Sequence, residues 1–190
     1  MTIKNDAWIA KMASEQNMIE PFVDHQIRGG VISYGLSSLG YDLRLGTKFY
    51  RLKDGHKIFD PKQQEAYDWD VIDSVYPLIL YPNDYVLSYS IETFSIPEDV
   101  LVLVIGKSTY ARSGLLVNVT PGEPGWVGQW TLEISNPTKR PIKIYPNEGI
   151  AQCLFFQSDA PAQMPYNKKN GKYMHQSGVT LARIEMQDGK

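Results

Sequence analysis

The chain has 190 residues, 43% of them hydrophobic and 21% charged, with a formal net charge of −2. That length suits one domain over 1–190 with a real core. The charge offers no basic field for nucleic acid or an anionic membrane, and no apolar run nears the roughly 20 residues that cross a bilayer.

A single cysteine, Cys153, leaves no internal disulfide and sits between apolar neighbours, where it reads as inert core. The opening MTIKNDAWIAKMASEQ is too polar for a signal peptide, so a reducing, cytoplasmic setting is expected. Asn5-Asp6 is expected to cap a helix over about 6–16, with Trp8, Ile9, Met12 and Ala13 on one face and Asn17 and Pro21 ending it. Glu20 to Gly30 reads as an irregular link. In Tyr41-Asp42-Leu43-Arg44-Leu45 the alternation sends Tyr41, Leu43 and Leu45 one way and Asp42 and Arg44 the other.

Phe49 to Leu52 and Lys57 to Phe59 flank Asp54-Gly55, the signature of a hairpin. Residues 60–76 read as a surface excursion. Strands are expected over Leu78 to Tyr81 and Tyr85 to Ile91, with Pro82-Asn83-Asp84 as the turn. Val100 to Ile105, continuously apolar, predicts a strand buried on both faces. Trp130 to Ser135, Ile142 to Tyr145 and Ile150 to Phe156 follow as strands. Many short strands with one clear helix predict a mainly β fold, a barrel or sandwich. The tail, about 166–190, is rich in Lys, Gly, Gln and Tyr, and is expected to move unless something docks it.

Gly106-Lys107-Ser108-Thr109 resembles the end of a P-loop, but the glycine needed five residues earlier is Leu101, inside a strand. No long amphipathic helix follows either, which excludes a P-loop NTPase. The segment still has phosphate-binding chemistry, because one helical turn there exposes backbone N–H groups beside Lys107, Ser108 and Thr109. Ser108 and Arg112, four apart, share a face of that turn. A tight connection with solvated polar residues is the plain alternative. Glu133 is sharper. In Trp130-Thr131-Leu132-Glu133-Ile134-Ser135 it shares a face with Thr131 and Ser135, opposite Trp130, Leu132 and Ile134. On a solvent face it means nothing; in a cleft it is a candidate general base. His25, His56 and His175 are scattered, and no zinc deaminase signature, HExxH pair or GxSxG elbow occurs.

Four segments together resemble the motifs of the trimeric dUTPase and dCTP deaminase superfamily: Leu39 to Arg44, Gly106 to Gly114, Asn118 to Asn136, and Gly149 to Leu154. The opening segment and the tail GKYMHQSGVTL are similar to those of the shorter bacterial dCTP deaminases. The resemblance implies a dUTPase-like distorted β-barrel, jelly-roll-like in outline, assembled as a homotrimer with active sites between subunits. It implies conversion of dCTP to dUTP and ammonia, with dTTP as a feedback inhibitor. Glu133 would be the acid/base, Ser108 would hold the water and Arg112 would stabilise charge. Lys107, Ser108, Thr109, Tyr110, Ala111 and Arg112 would bind the triphosphate and line the water site, and Thr131 and Leu132 would contact the nucleotide through their backbone. Gln152, Tyr166, Lys172 and Gln176 would reach phosphates, the last three from a tail folding over the site, while Trp126 would stack on the deoxyribose or pack the barrel. Mg²⁺ would arrive with the triphosphate, with no protein side-chain ligands and no zinc, and Asp42 would pack the trimer. Glu123 stands where dUTPases place their water-activating aspartate. A bifunctional enzyme giving dUMP, a plain dUTPase, or a nucleotide sensor without turnover are therefore the alternative readings.

Overall fold

The structure, a computed structural model, describes residues 2–55, 58–62 and 68–183. Its first part runs β1 (Thr2–Ile3), α1 (Asp6–Gln16), β2 (Ile19–Glu20), β3 (Gln26–Ile27), β4 (Tyr34–Ser37), β5 (Gly40–Arg44) and β6 (Lys48–Leu52). There follow β7 (Trp69–Asp73), β8 (Leu78–Leu80), β9 (Tyr85–Ser95), β10 (Val100–Gly106) and the one-turn α2 (Ser108–Ala111). The last strands are β11 (Leu116–Asn118), β12 (Val127–Ser135), β13 (Ile142–Ile144) and β14 (Gly149–Gln157).

The mainly β architecture expected from the sequence is what forms. One sheet has the order β1-β14-β5-β4-β3, with β10 also on β14; the other has β11-β12-β9-β6-β7, with β2 on β9. A small pair, β13-β8, stands beside them, and all the pairings are antiparallel. Bridges at Leu45–Ser90 and Val102–Gly122 tie the first sheet to the second sheet's strand β9 and to the segment leading into β12. Between them lies one core, built from the inward alternation of Tyr41 and Leu43 on β5 and of Trp130, Leu132 and Ile134 on β12. Fully burying side chains such as Leu43, Leu132 and Phe155 contributes about 1.5–3 kcal/mol each.

Helix α1 forms as its caps dictate. The Asn5 side chain accepts the Trp8 N–H at 3.1 Å, and Asn17 ends the helix in the left-handed region at φ 50°. Ile9, Met12 and Ala13 are buried, and Trp8 packs partly buried against the core. Among the described residues no helix is long and apolar enough to cross a membrane.

Four expectations need correction. Strand β6 forms, but its hairpin partner is β7, with Tyr50 opposite Val71; His56 and Lys57 lie outside the described residues. The excursion over 60–76 therefore contains a strand, whose buried Trp69 packs edge-on against Phe59 and tilted against Tyr85. The link from Glu20 to Gly30 contributes β3 and the end of β2, both too short to show a period in sequence. Strand β10 is not buried on both faces: Val100, Val102 and Val104 point inward while Ile105 is 48% exposed.

Candidate active site

Glu133 lies mid-strand on β12 with a partner on each side, Leu87 of β9 and Asn118 of β11. The alternation of β12 turns it away from the core, half-buried. In that setting the Asn118 amide donates from Nδ2 to Glu133 Oε2 at 2.5 Å. Burial raises the Glu133 pKa above the ordinary carboxylate value, and the Asn118 hydrogen bond partly opposes the rise. Tyr85, two residues along β9 from Leu87, is pushed up to about 12, first by burial and then by the Glu133 charge. A carboxylate of raised basicity, fixed at one oxygen, is a general base with its other oxygen available.

Glu133 and Thr131 form part of the wall of a cavity of about 720 Å³, within the range of small-molecule sites. Trp126, Tyr166, Lys172 and Gln176 line the same space. The described part of the tail, up to residue 183, reaches it because it docks on β12. His175 N donates to Val127 O at 2.8 Å, Gln129 N to Gln176 O at 3.0 Å, and Gln176 Nε2 returns to Gln129 O at 2.7 Å. Gly178 N donates to Gln129 Oε1 at 2.7 Å. Trp126 both packs and lines: it is buried, stacked on Trp130 at 4.0 Å, and its Nε1 donates to Tyr173 O at 3.0 Å. This pair explains Gly122, where a Cβ would stand 2.1 Å from the Trp130 ring. Glu123 is on the cavity wall too, where its carboxylate accepts from Lys169 Nζ at 2.5 Å.

The second motif lies elsewhere in the chain. Ser108, Thr109, Ala111 and Arg112 are exposed on α2, where the Arg112 N–H closes the turn onto Ser108 O at 3.0 Å. Tyr110 is core, its hydroxyl accepting the Tyr145 N–H at 3.1 Å. Lys107, expected to grip phosphate, is held in this chain by the buried carboxylate of Asp42, which also accepts from Gln26 Nε2 at 2.7 Å. Gln152 sits opposite Asp42 on β14, and Leu132 is buried on the core side of β12. One chain's cavity thus gathers Glu133, Thr131, Trp126, Tyr166, Lys172 and Gln176, while Lys107 to Arg112, Leu132 and Gln152 do not line it. Among the described residues no three His, Cys, Asp or Glu side chains converge as a metal site.

Three contributors escape the sequence. Asn118 and Tyr85 reach Glu133 only through the β11-β12-β9 register, which no local pattern encodes. Lys169 is one of several tail lysines, and only the fold selects it as the partner of Glu123.

The comparisons with known proteins agree with one another. The dCTP deaminase of Herpetosiphon aurantiacus is 54% identical over 186 residues, covering 97% of this chain and 100% of that protein. The dCTP deaminase of Gemmatimonas aurantiaca is 50% identical over 190 residues, with 97% and 100% covered. The solved 2′-deoxycytidine 5′-triphosphate deaminase of Agrobacterium tumefaciens superposes with a TM-score of 0.64 at 20% identity, over 82% of this chain and 48% of that one, a likeness of fold. Residues 3–158 match the dCTP deaminase-like family, and the chain belongs to it.

Proposed function

We propose that this chain catalyses the hydrolytic deamination of dCTP to dUTP and ammonia. The observation that carries the reading is Glu133: a half-buried carboxylate of raised basicity, fixed by Asn118, in a ligand-sized cavity. In the proposed step Glu133 takes a proton from water as its oxygen bonds to C4 of cytosine. The carboxyl passes that proton to the ring nitrogen, then takes the proton of the new C4 hydroxyl and hands it to the amino group; the C4–N bond breaks and ammonia leaves as the C4 carbonyl forms. Lys172, Tyr166 and Gln176, all on the cavity wall, would hold the phosphates, and the docked tail would help to exclude bulk water.

The cavity lacks Ser108 and Arg112, which stand exposed on α2 of the same chain. A homotrimer in which α2 of one subunit faces the cavity of the next would complete each site, bringing Ser108 to the water and Arg112 to the developing charge. Gln152 would then add to the phosphate contacts from that same side. Magnesium would enter as the dCTP complex, since the cavity offers lysine and amide groups rather than a carboxylate cage. dTTP, another pyrimidine triphosphate, would compete there as an inhibitor, and the enzyme would work in the cytoplasm.

Glu123 is engaged by Lys169, so a second hydrolytic step is not part of this reading. Incubation with dCTP and Mg²⁺ should yield ammonia and dUTP in equal amounts without pyrophosphate. Pyrophosphate with dUMP would reinstate the bifunctional reading, and absence of ammonia would overturn deamination.

The Asn118 contact gives a pH prediction. The base must be ionised in the free enzyme, so kcat/KM should rise with pH through the Glu133 pKa, above the ordinary carboxylate range. Asn118→Ala removes a donor that favours the charged form, so the rise should move to still higher pH. On the acidic limb, below the Glu133 pKa, kcat/KM should fall by about tenfold, the scale of one hydrogen bond to a charged group. An unshifted profile would show that Asn118 does not tune the base.

A further inference from the structure

A second cavity, of about 680 Å³, opens between α2 and the connection from β12 to β13. Thr109 and Ser113 line it from the α2 side, and Lys139, Arg140 and Lys143 from the other. Its floor is Ile32, Tyr110, Ile142 and Tyr145. No aspartate or glutamate is among the lining residues, and among the described residues none of the three cations is in an ion pair. In a chain of net charge −2, three unpaired cations around one concavity are a local field of the opposite sign. Glu148 comes to the floor at Ile32, but its Oε2 there accepts the backbone N–H at 2.6 Å.

The cations sit on a fixed support. Asn136, fully buried, donates from Nδ2 to Leu80 O at 2.9 Å and to Arg140 O at 2.8 Å, and its Oδ1 accepts the Thr138 hydroxyl at 2.8 Å. Gly114, in the left-handed region at φ 84°, lets the segment after α2 press against Thr138, where a Cβ would stand 2.3 Å from Cγ2. The two walls are therefore locked to each other before any ligand arrives, which lowers the ordering cost of binding. Ser108 and Arg112 share one face of the α2 turn, while Thr109 and Ser113, also four apart, share another.

From this arrangement we infer that the cavity between α2 and the β12–β13 connection, with the start of β13, binds a small polyphosphate anion, free or as the phosphate chain of a nucleotide. The ammonium and guanidinium groups would hold the phosphate oxygens by charge-assisted hydrogen bonds, with the Thr109 hydroxyl as a further donor, while the Ser113 hydroxyl already donates to Thr109 O at 3.1 Å.

Calorimetric titration of inorganic tripolyphosphate, and separately of ATP, into the full chain tests this. Each probe is titrated into the wild type and into Lys139→Ala/Arg140→Ala/Lys143→Ala, whose three side chains are all exposed, so that the core is left intact. The wild type should bind one more equivalent per chain than the triple variant, whose affinity at this site should fall about a hundredfold. Lys139→Arg/Lys143→Arg, which keeps the charges, should retain that equivalent. Tripolyphosphate and ATP binding alike would identify the phosphate chain as the recognised element. ATP alone binding would identify the nucleotide. Equal stoichiometry and affinity in the wild type and the triple variant, or no binding by the wild type, would overturn the inference.

Discussion

Glu133→Gln is expected to lower dCTP deamination by about a thousandfold or more while the protein stays folded, because it removes the carboxyl group proposed to accept and return protons. The substitution keeps shape and length, and the new amide oxygen can still accept the Asn118 N–H that now reaches Oε2 at 2.5 Å. Stability should hold or rise. The folded pKa of Glu133 is raised, so its contribution to stability is fully present below the unfolded pKa, where the group is protonated, and is lost as pH rises through the folded value. At neutral pH the carboxylate is therefore a burden to folding, and the neutral amide relieves it. A melting temperature at or above the wild-type value, together with ammonia release reduced in single turnover, is the expected pair of readings. Ammonia released at the wild-type rate would remove Glu133 from the mechanism. A lower melting temperature would show that the charge is satisfied by contacts beyond Asn118.

What was legible in the sequence is what periodicity and caps encode. The Asn5 cap, the inward set of Trp130, Leu132 and Ile134, and the outward placement of Glu133 all follow from local pattern, and all appear in the fold. The hairpin at Asp54-Gly55 failed because a turn signal says that strands reverse, not which strand returns. Trp69–Asp73 alternates too irregularly, with Asp70, Val71 and Asp73 outward, to announce itself as β7. The double burial expected of Val100 to Ile105 failed for a related reason: an apolar run names a strand, and only its neighbours decide how many faces are covered. At the site, the candidate acid/base Glu133 was visible as a misplaced carboxylate, whereas Asn118 and Tyr85 depend on register across three strands. The Asp42 contact of Lys107 was not legible, because an ammonium suits a buried carboxylate as well as a phosphate and nothing local chooses between them.

That pair supports the second large effect. Asp42→Ala should destabilise the fold by about 3–5 kcal/mol, the usual result of removing one partner from a buried ion pair. The side chains of Asp42 and Lys107 are 2% and 11% exposed, so the stranded ammonium finds little water, and the Gln26 amide loses its acceptor as well. Asp42 Oδ1 has no hydrogen-bond partner, so the wild-type pair already carries a desolvation cost that its attraction must offset. Removing both charges in Asp42→Ala/Lys107→Met should therefore recover much of the loss, a non-additivity readable from denaturant midpoints as a double-mutant cycle. Additive losses would mean that Lys107 relaxes to solvent and that the pair contributes nothing as a pair. The proposed consequence for catalysis runs through α2, since Lys107 stands at its N-cap position and Ser108 begins it. With Asp42 gone, the turn that presents Ser108 and Arg112 loses its anchor to β5. In any Asp42→Ala protein that still folds, kcat should fall below that of the double variant, where a neutral side chain can pack in the vacated space and hold the turn.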